Sequence, residues 1–207
     1  EGDECPICLE ILPKDPAKFS RWPCCGNGIH KHCGKDLISM NMSSTCPFCR
    51  AKTPTSKEES VQYLRPWVKK KKAWAMTMMG DMYKNGTGVK QSYEMAKRLY
   101  GSAAQQGDAA AMCGLGVMCE HGLGVEQSYE KAFEHYEQAA HSGFAGAQNN
   151  LGLMYAAGQG VAKDFVKAQE WWTVSAAHGN ENAIKNLKIL EKEIKKRMTK
   201  NATKNTR

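Results

Sequence analysis

Seven of the nine cysteines lie within the first fifty residues, as two C-x-x-C pairs, Cys5/Cys8 and Cys46/Cys49, that bracket Cys24, Cys25, His30 and Cys33. Thiolates and an imidazole at such spacing do metal chemistry, because two thiolates separated by two residues can grip one tetrahedral ion from a single tight turn. One pair alone says little. Two pairs with C-C-x4-H-x2-C between them supply eight donors, the natural complement of two zinc ions. So short a segment cannot bury enough apolar surface to fold by collapse alone, so bound metal must supply the missing stability. Disulfides are the competing use of these thiols, but the odd cysteine total and the lack of a signal-like N-terminus argue against a secreted framework.

Composition changes sharply after about residue 53, which divides the 207 residues into two folded parts. The formal charge of +8 is spread unevenly: +1 over 1–53, +4 over 54–72, −3 over 73–180 and +6 over 181–207. The larger folded part is therefore mildly acidic, whereas a nucleic-acid-binding face carries its cations on a folded surface, so no nucleic acid is expected. Lys69 to Lys72 could serve as a nuclear address or a phosphate contact, and a solvated helix flank is the plainer reading. No apolar run approaches the ~20 residues that span a bilayer, so a soluble, cytoplasmic or nuclear protein is expected. The sequence opens on Glu1 rather than Met, so missing targeting signals carry little weight.

Shifting the chain against itself by thirty-six residues superimposes Ala75, Ala111, Ala147 and Ala183, and then Gly80, Gly116 and Gly152, without insertion. The register continues through Gly86-Thr87-Gly88-Val89, Gly122-Leu123-Gly124-Val125 and Gly158-Gln159-Gly160-Val161 to Gly107, Gly143 and Gly179. Each unit should hold two helices joined by a glycine-rich turn. In the first helix, Met79, Leu115 or Leu151 with Met82, Met118 or Met154 marks a buried face. A helix cannot cross G-x-G cheaply, since each glycine costs about 1 kcal/mol relative to alanine in a helix interior. Ser92, Ser128 and Asp164 stand where the second helix needs an N-cap. Its small residues Ala96/Ala132/Ala168 and Ala104/Ala140/Ala176 admit close neighbours, and Tyr100, Tyr136 and Trp172 fill the remaining space. The glycine turns cradle no phosphate, because no strand precedes them and no Lys-Ser/Thr follows.

This pattern, A-x4-G-x5-G-x-G-V followed by K-A-x3-Y/W and A-A-x-x-G, resembles the Sel-1-like repeat, a relative of the tetratricopeptide repeat. The resemblance covers 73–180 and implies an all-α solenoid of three helix-turn-helix repeats. Cys119 departs from Tyr83 and Tyr155 of the neighbouring units, and with Cys113 six residues away it reads as buried apolar cysteine rather than half of a metal site. After Gly179, Ile184, Leu187, Leu190 or Glu191, and Ile194 form one stripe, read as a capping helix over 181–198, with a polar, disordered basic tail over 199–207. Asn201-Ala202-Thr203 matches a glycosylation acceptor by chance.

The order of the first eight donors resembles a RING finger, a small zinc-stabilised α+β fold in which alternate ligand pairs share an ion. The resemblance implies that Cys5, Cys8, His30 and Cys33 hold one zinc and Cys24, Cys25, Cys46 and Cys49 the other. Usual RING fingers place a histidine two residues after the third ligand, and Asn27 follows Cys25 at that distance. Adjacent Cys24 and Cys25 must then both coordinate, with His32 as the substitute if that adjacency is strained. The same donor order matches the PHD finger, a histone-tail reader, but PHD fingers have an aromatic residue where Ser44 stands. Cys5-Pro6-Ile7-Cys8 and Cys46-Pro47-Phe48-Cys49-Arg50 look instead like the two zinc loops of ubiquitin-ligating RING fingers.

In that family the positions of Ile7, Leu37 and Pro47 form a groove for a ubiquitin-conjugating enzyme, and Arg50 falls on the linchpin position. Arginine suits the role because its planar five-donor fork can bridge carbonyls on two proteins at once. The resemblance thus implies an E3 ubiquitin-protein ligase that positions ubiquitin's carbonyl for a substrate lysine without a nucleophile of its own, its zinc shells closed and structural. Dimerisation is compatible with it. A non-catalytic scaffold and a PHD-like reader are the alternatives. The repeats should recruit a protein substrate or adaptor through first-helix positions that vary between units: Met78/Gly114/Asn150, Asp81/Val117/Leu153 and Asn85/His121/Ala157. The intervening 54–72 reads as a helical linker, interrupted at Pro66, which suits a first helical position.

Overall fold

The computed structural model describes Phe19–Arg21, Gly28–His30 and residues 54–205. Strands β1 (Phe19–Arg21) and β2 (Gly28–His30) pair antiparallel, with Phe19 opposite His30 and Arg21 opposite Gly28. From residue 54 onward the described chain is helical: α1 (Lys57–Lys69), α2 (Ala73–Asn85), α3 (Tyr93–Ala104), α4 (Ala109–His121), α5 (Tyr129–His141), α6 (Ala145–Ala157), α7 (Phe165–Ala177) and α8 (Glu181–Asn205). Helices α2/α3, α4/α5 and α6/α7 pack as pairs, and each second helix packs against the next first helix. First helices also touch one another, α2 with α4 and α4 with α6, which sets them on the inner side of the stack.

The periodic residues act as the spacing requires. Ser92, Ser128 and Asp164 cap α3, α5 and α7 by accepting backbone N–H bonds of 2.9–3.3 Å. Each first helix ends on a left-handed glycine, Gly158 with φ 75° for example, so the chain reverses without a Cβ penalty. Glycine is also what lets the paired helices close up. A Cβ on Gly80 would lie 2.7 Å from the Tyr100 ring and one on Gly116 2.6 Å from Tyr136, and Gly152 meets the Trp172 indole in the same way. Tyr100 and Tyr136 are fully buried there, among Ala96, Ala103, Ala132 and Ala139.

The ends of the solenoid differ from the expected linker and tail. Helix α1 is no free connection: Val61 and Leu64 are buried with Ala75 and Met79 of α2. It repeats the second-helix pattern thirty-six residues early. Ser56 caps it by accepting from Glu59 N at 3.1 Å, as Ser92 caps α3, and Leu64 takes the place of Tyr100. Lys71, with φ 53°, takes the place of Gly107, Gly143 and Gly179, whose φ values run from 79° to 84°. The closing bonds match too: Lys71 N to Val68 O at 2.9 Å and Lys72 N to Trp67 O at 3.1 Å, against Gly107 N to Ala104 O at 2.9 Å and Asp108 N to Ala103 O at 3.2 Å.

Pro66 sits inside the last turn of α1 rather than at a first helical position. The carbonyl it leaves unbonded belongs to Gln62, exposed like Pro66 itself, so water can satisfy it while the buried face holds the helix through. At the other end, α8 continues to Asn205, through most of the 199–207 stretch expected to be a disordered tail. No glycine or proline occurs after Gly179 to stop it. Ala183 is fully buried against α7, as the first-helix register predicts.

Candidate functional site

The predicted zinc ligands Cys5, Cys8, Cys24, Cys25, Cys33, Cys46 and Cys49, the substitute His32, and the groove residues Ile7, Leu37, Pro47 and Arg50 lie outside the described residues. His30 closes β2 opposite Phe19, and in sequence Cys24 and Cys25 fall between the two paired strands. Seven thiols and one imidazole are a donor set that suits tetrahedral zinc, as it does other thiophilic metal centres. Among the described residues no group of three or more His, Cys, Asp or Glu could hold a metal ion.

The repeats present their first-helix face as a polar and apolar row. Met78 and Leu153 are 38% and 44% exposed, and Asp81, Asn85, His121 and Ala157 are exposed, while Val117 and Asn150 are half-buried and Gly114 is buried. Two carboxylates are held from beneath. Tyr100 Oη donates to Asp81 Oδ1 and Tyr136 Oη to Glu120 Oε2, each at 2.6 Å. Burial first, then the adjoining carboxylate, drives both phenols well above the ordinary tyrosine range, so they remain donors at any physiological pH. Lys84 pairs with Asp81 at 3.3 Å, and no cation pairs with Glu120 among the described residues. Asn150 Nδ2 lies 3.8 Å from Cys113 Sγ, and Asn186 Nδ2 donates to Asn149 Oδ1 at 3.0 Å, linking α4, α6 and α8. Burial pushes the Cys113 thiol up to about 12 and raises that of Cys119, so neither is a nucleophile at neutral pH.

Sequence reasoning missed the continuation of this face. Asn186 and Ile189 stand thirty-six residues beyond Asn150 and Leu153, and the same register that revealed the repeats would have found them. They line a cavity of about 360 Å³ between α7 and α8, with Phe165, Val166, Gln169 and Trp172. Glu120 carried no such signal, because its counterparts are Lys84 and Ala156.

Residues 75–108, 109–144 and 145–180 each match the Sel1 repeat model, and residues 3–50 match the Ring finger domain model. A solved Sel1 repeat protein from Oxalobacter formigenes is 38% identical, with a TM-score of 0.55 over 63% of this chain and 98% of that one. A protective antigen present in uropathogenic Escherichia coli strains and displaying an SLR fold is 34% identical, with a TM-score of 0.58 over 70% of this chain. This chain spans 31% of that antigen's length. No curated protein matches.

Proposed function

We propose that this chain, which belongs to the Sel1 repeat family and matches a Ring finger domain over residues 3–50, is a RING-type E3 ubiquitin-protein ligase whose repeats recruit a protein substrate or adaptor. The observation that carries this reading is the Ring finger match over a segment that holds all eight predicted donors and Arg50. In this reading Cys5, Cys8, His30 and Cys33 hold one zinc and Cys24, Cys25, Cys46 and Cys49 the other, and closed shells make the ions structural supports of a small α+β fold. Ile7, Leu37 and Pro47 receive a ubiquitin-conjugating enzyme, while Arg50 donates to carbonyls of enzyme and ubiquitin together and holds the thioester end in one orientation. The neutral amine of a lysine on the recruited protein then attacks the preoriented thioester carbonyl, the amide bond forms as the C–S bond breaks, and the conjugating enzyme's cysteine leaves as thiolate, with no covalent intermediate on this chain. The inert, buried Cys113 and Cys119 agree with that division of labour.

The docking of α1 onto α2 supports a fixed relation between the recruiting face and the residue where the helical body begins. The test is a reconstitution of the zinc-loaded chain with activating enzyme, a panel of conjugating enzymes, ubiquitin and ATP. Ubiquitin chains should form with at least one enzyme and fall at least tenfold with Arg50→Ala, the loss of roughly 1.4 kcal/mol or more of transition-state positioning. Absence of chains with every enzyme would leave a non-catalytic scaffold as the function.

A further inference from the structure

Lys69, Lys70, Lys71 and Lys72 turn the chain from α1 into α2, and two of them hold positions that suit lysine poorly. Among the described residues only Lys71 combines a Cβ with a positive φ, at 53°, where Gly107, Gly143 and Gly179 serve the later turns. Lys72 stands at the N-cap of α2 and makes no side-chain capping bond. Its counterparts Asp108 and Asn180 accept bonds of 2.9 Å and 3.1 Å from Ala111 N and Ala183 N, and Phe144, the remaining counterpart, is uncharged. A cation at 72 also opposes the positive end of the helix dipole, whereas Lys69 and Lys70 close α1, where cations are favourable. Glycine at 71 and asparagine or aspartate at 72 would serve the fold better. Local conflict of this kind is a mark of function.

The same turn gathers charge. Arg65, one helical turn before Lys69, and the four lysines are all exposed, and none pairs with a carboxylate among the described residues. Lys70 Nζ lies 5.0 Å from the centre of the Trp67 ring, and Trp67 packs on Trp74 with ring centres 5.8 Å apart, so two half-buried indoles brace the turn. Of the acids on α1 to α4 and the turns between second and first helices, only Asp108 stands at this end of the stack, and it caps α4. Glu58, Glu59, Glu94 and Glu120 belong to the opposite helix ends, and Asp81, past the middle of α2, pairs with Lys84.

The surroundings decide which anion fits. A nucleic-acid strand needs cations that continue along its path and aromatic faces open to its bases. The later turns read Gln105-Gln106-Gly107-Asp108, His141-Ser142-Gly143-Phe144 and Ala177-His178-Gly179-Asn180, and Trp67 already carries Lys70 on its ring. Firm membrane attachment needs an apolar insertion beside the cations, and no large hydrophobic between residues 57 and 77 is exposed. An acidic peptide needs neither. Consecutive Asp or Glu residues advance about 3.5 Å each in an extended chain, so a run of four matches the four lysines in length.

We propose that the α1–α2 turn, with Arg65 and Lys69 to Lys72, is a docking site for a short acidic segment of a partner protein. Lysine ammonium groups are compact charges without a fixed fork, so the site reads density of carboxylates rather than a particular sequence. The site goes beyond the ligase reading and does not require it.

The test uses the full zinc-loaded chain and rhodamine-labelled peptides of about ten residues, with a run of four glutamates or four glutamines between Ser/Gly flanks. Fluorescence anisotropy should show saturable binding of the glutamate peptide that weakens at least about tenfold between roughly 0.01 M and 0.1 M ionic strength. The glutamine peptide should not bind. Lys71→Gly/Lys72→Asn should weaken binding about fivefold. The same variant should raise the thermal midpoint, because the fold gains a glycine turn and a capped helix as the peptide loses two cations. Arg65→Gln/Lys69→Gln, at exposed positions with no ion pair to lose among the described residues, should weaken binding to a similar degree. A lowered midpoint in the first variant overturns the proposal, because the two lysines then serve the fold. Unaltered binding by both variants overturns it too, and moves the peptide to the basic α8. So does failure of the glutamate peptide to bind, equal binding of the two peptides, or tighter binding of phosphatidylserine vesicles or of an oligouridylate of equal charge. Peptide binding should be indifferent to Arg50→Ala. A chain that binds peptide yet builds no ubiquitin chains refutes only the ligase reading, and an active ligase that ignores the peptide refutes only the docking site.

Discussion

Lys71 holds φ 53° at a position where every later repeat has glycine. The left-handed region costs a residue with a Cβ about 1–2 kcal/mol, part of which glycine returns through the larger entropy of its unfolded chain. Lys71→Gly should therefore stabilise the helical body by ~1 kcal/mol, read as a rise of about 2–4 °C in thermal midpoint; an unchanged or lower midpoint contradicts the repeat register assigned to α1. The buried phenols make a prediction of opposite sense. Their folded-state pKa values are raised above the ordinary 10.0 by burial and by Asp81 or Glu120. The folded state thus keeps protons that the unfolded chain sheds, and stability, fully present below about pH 10, falls as pH rises beyond it. The Cys113 thiol adds to the same fall from about pH 9 upward. Tyr136→Phe should cost about 1.5–3 kcal/mol near pH 8 by removing a hydrogen bond to a carboxylate. The same variant should show a shallower decline in urea midpoint between about pH 9.5 and 11 than the parent chain. Parallel declines would mean that the phenol titrates alike in both states.

At the scale of elements, α1 belongs to the solenoid by its packing. Leu64 is completely buried, and Val61 and Leu64 cover Ala75 and Met79 of α2. Leu64→Ala should cost ~2–5 kcal/mol, as for other buried leucines. A fragment spanning 54–205 should likewise resist urea better than one spanning 73–205, in which those α2 residues face water; equal midpoints would make α1 the mere linker that composition suggested. The reason composition misled is physical. Packing requires apolar volume at position 64, which leucine supplies as well as tyrosine, while the turn at 71 tolerates lysine at a cost, so the glycine signature that betrays the other repeats is absent. The three full repeats were legible because Tyr100, Tyr136 and Trp172 need glycine opposite them and so leave paired marks in the sequence. The end of α8 was not, because polar composition says that a segment lacks a core, and only a breaker such as glycine or proline says where a helix stops.

For the whole molecule, the two kinds of stabilisation are chemically separate. The described helical body is held by a continuous run of packed apolar residues from Val61 in α1 through Tyr100, Tyr136 and Leu151 to Leu190 in α8. No potential metal cluster occurs among those residues. The eight predicted zinc donors all precede residue 50, in a segment too small to fold on apolar burial. A strong chelator at neutral pH should therefore remove two zinc ions, measured by native mass spectrometry. Most of the helical circular dichroism and the thermal midpoint of the solenoid should survive. On the proposed ligase reading, ubiquitin-chain formation should cease in the same sample, because Ile7, Leu37 and Pro47 lie within the segment that holds the predicted zinc ligands. Collapse of the helical signal on chelation would show that the repeats depend on the segment that holds the predicted zinc ligands. Addition of zinc back to the chelated chain distinguishes reversible unfolding of the first fifty residues from oxidation of their thiols, since only the former restores both the metal count and the ligase activity.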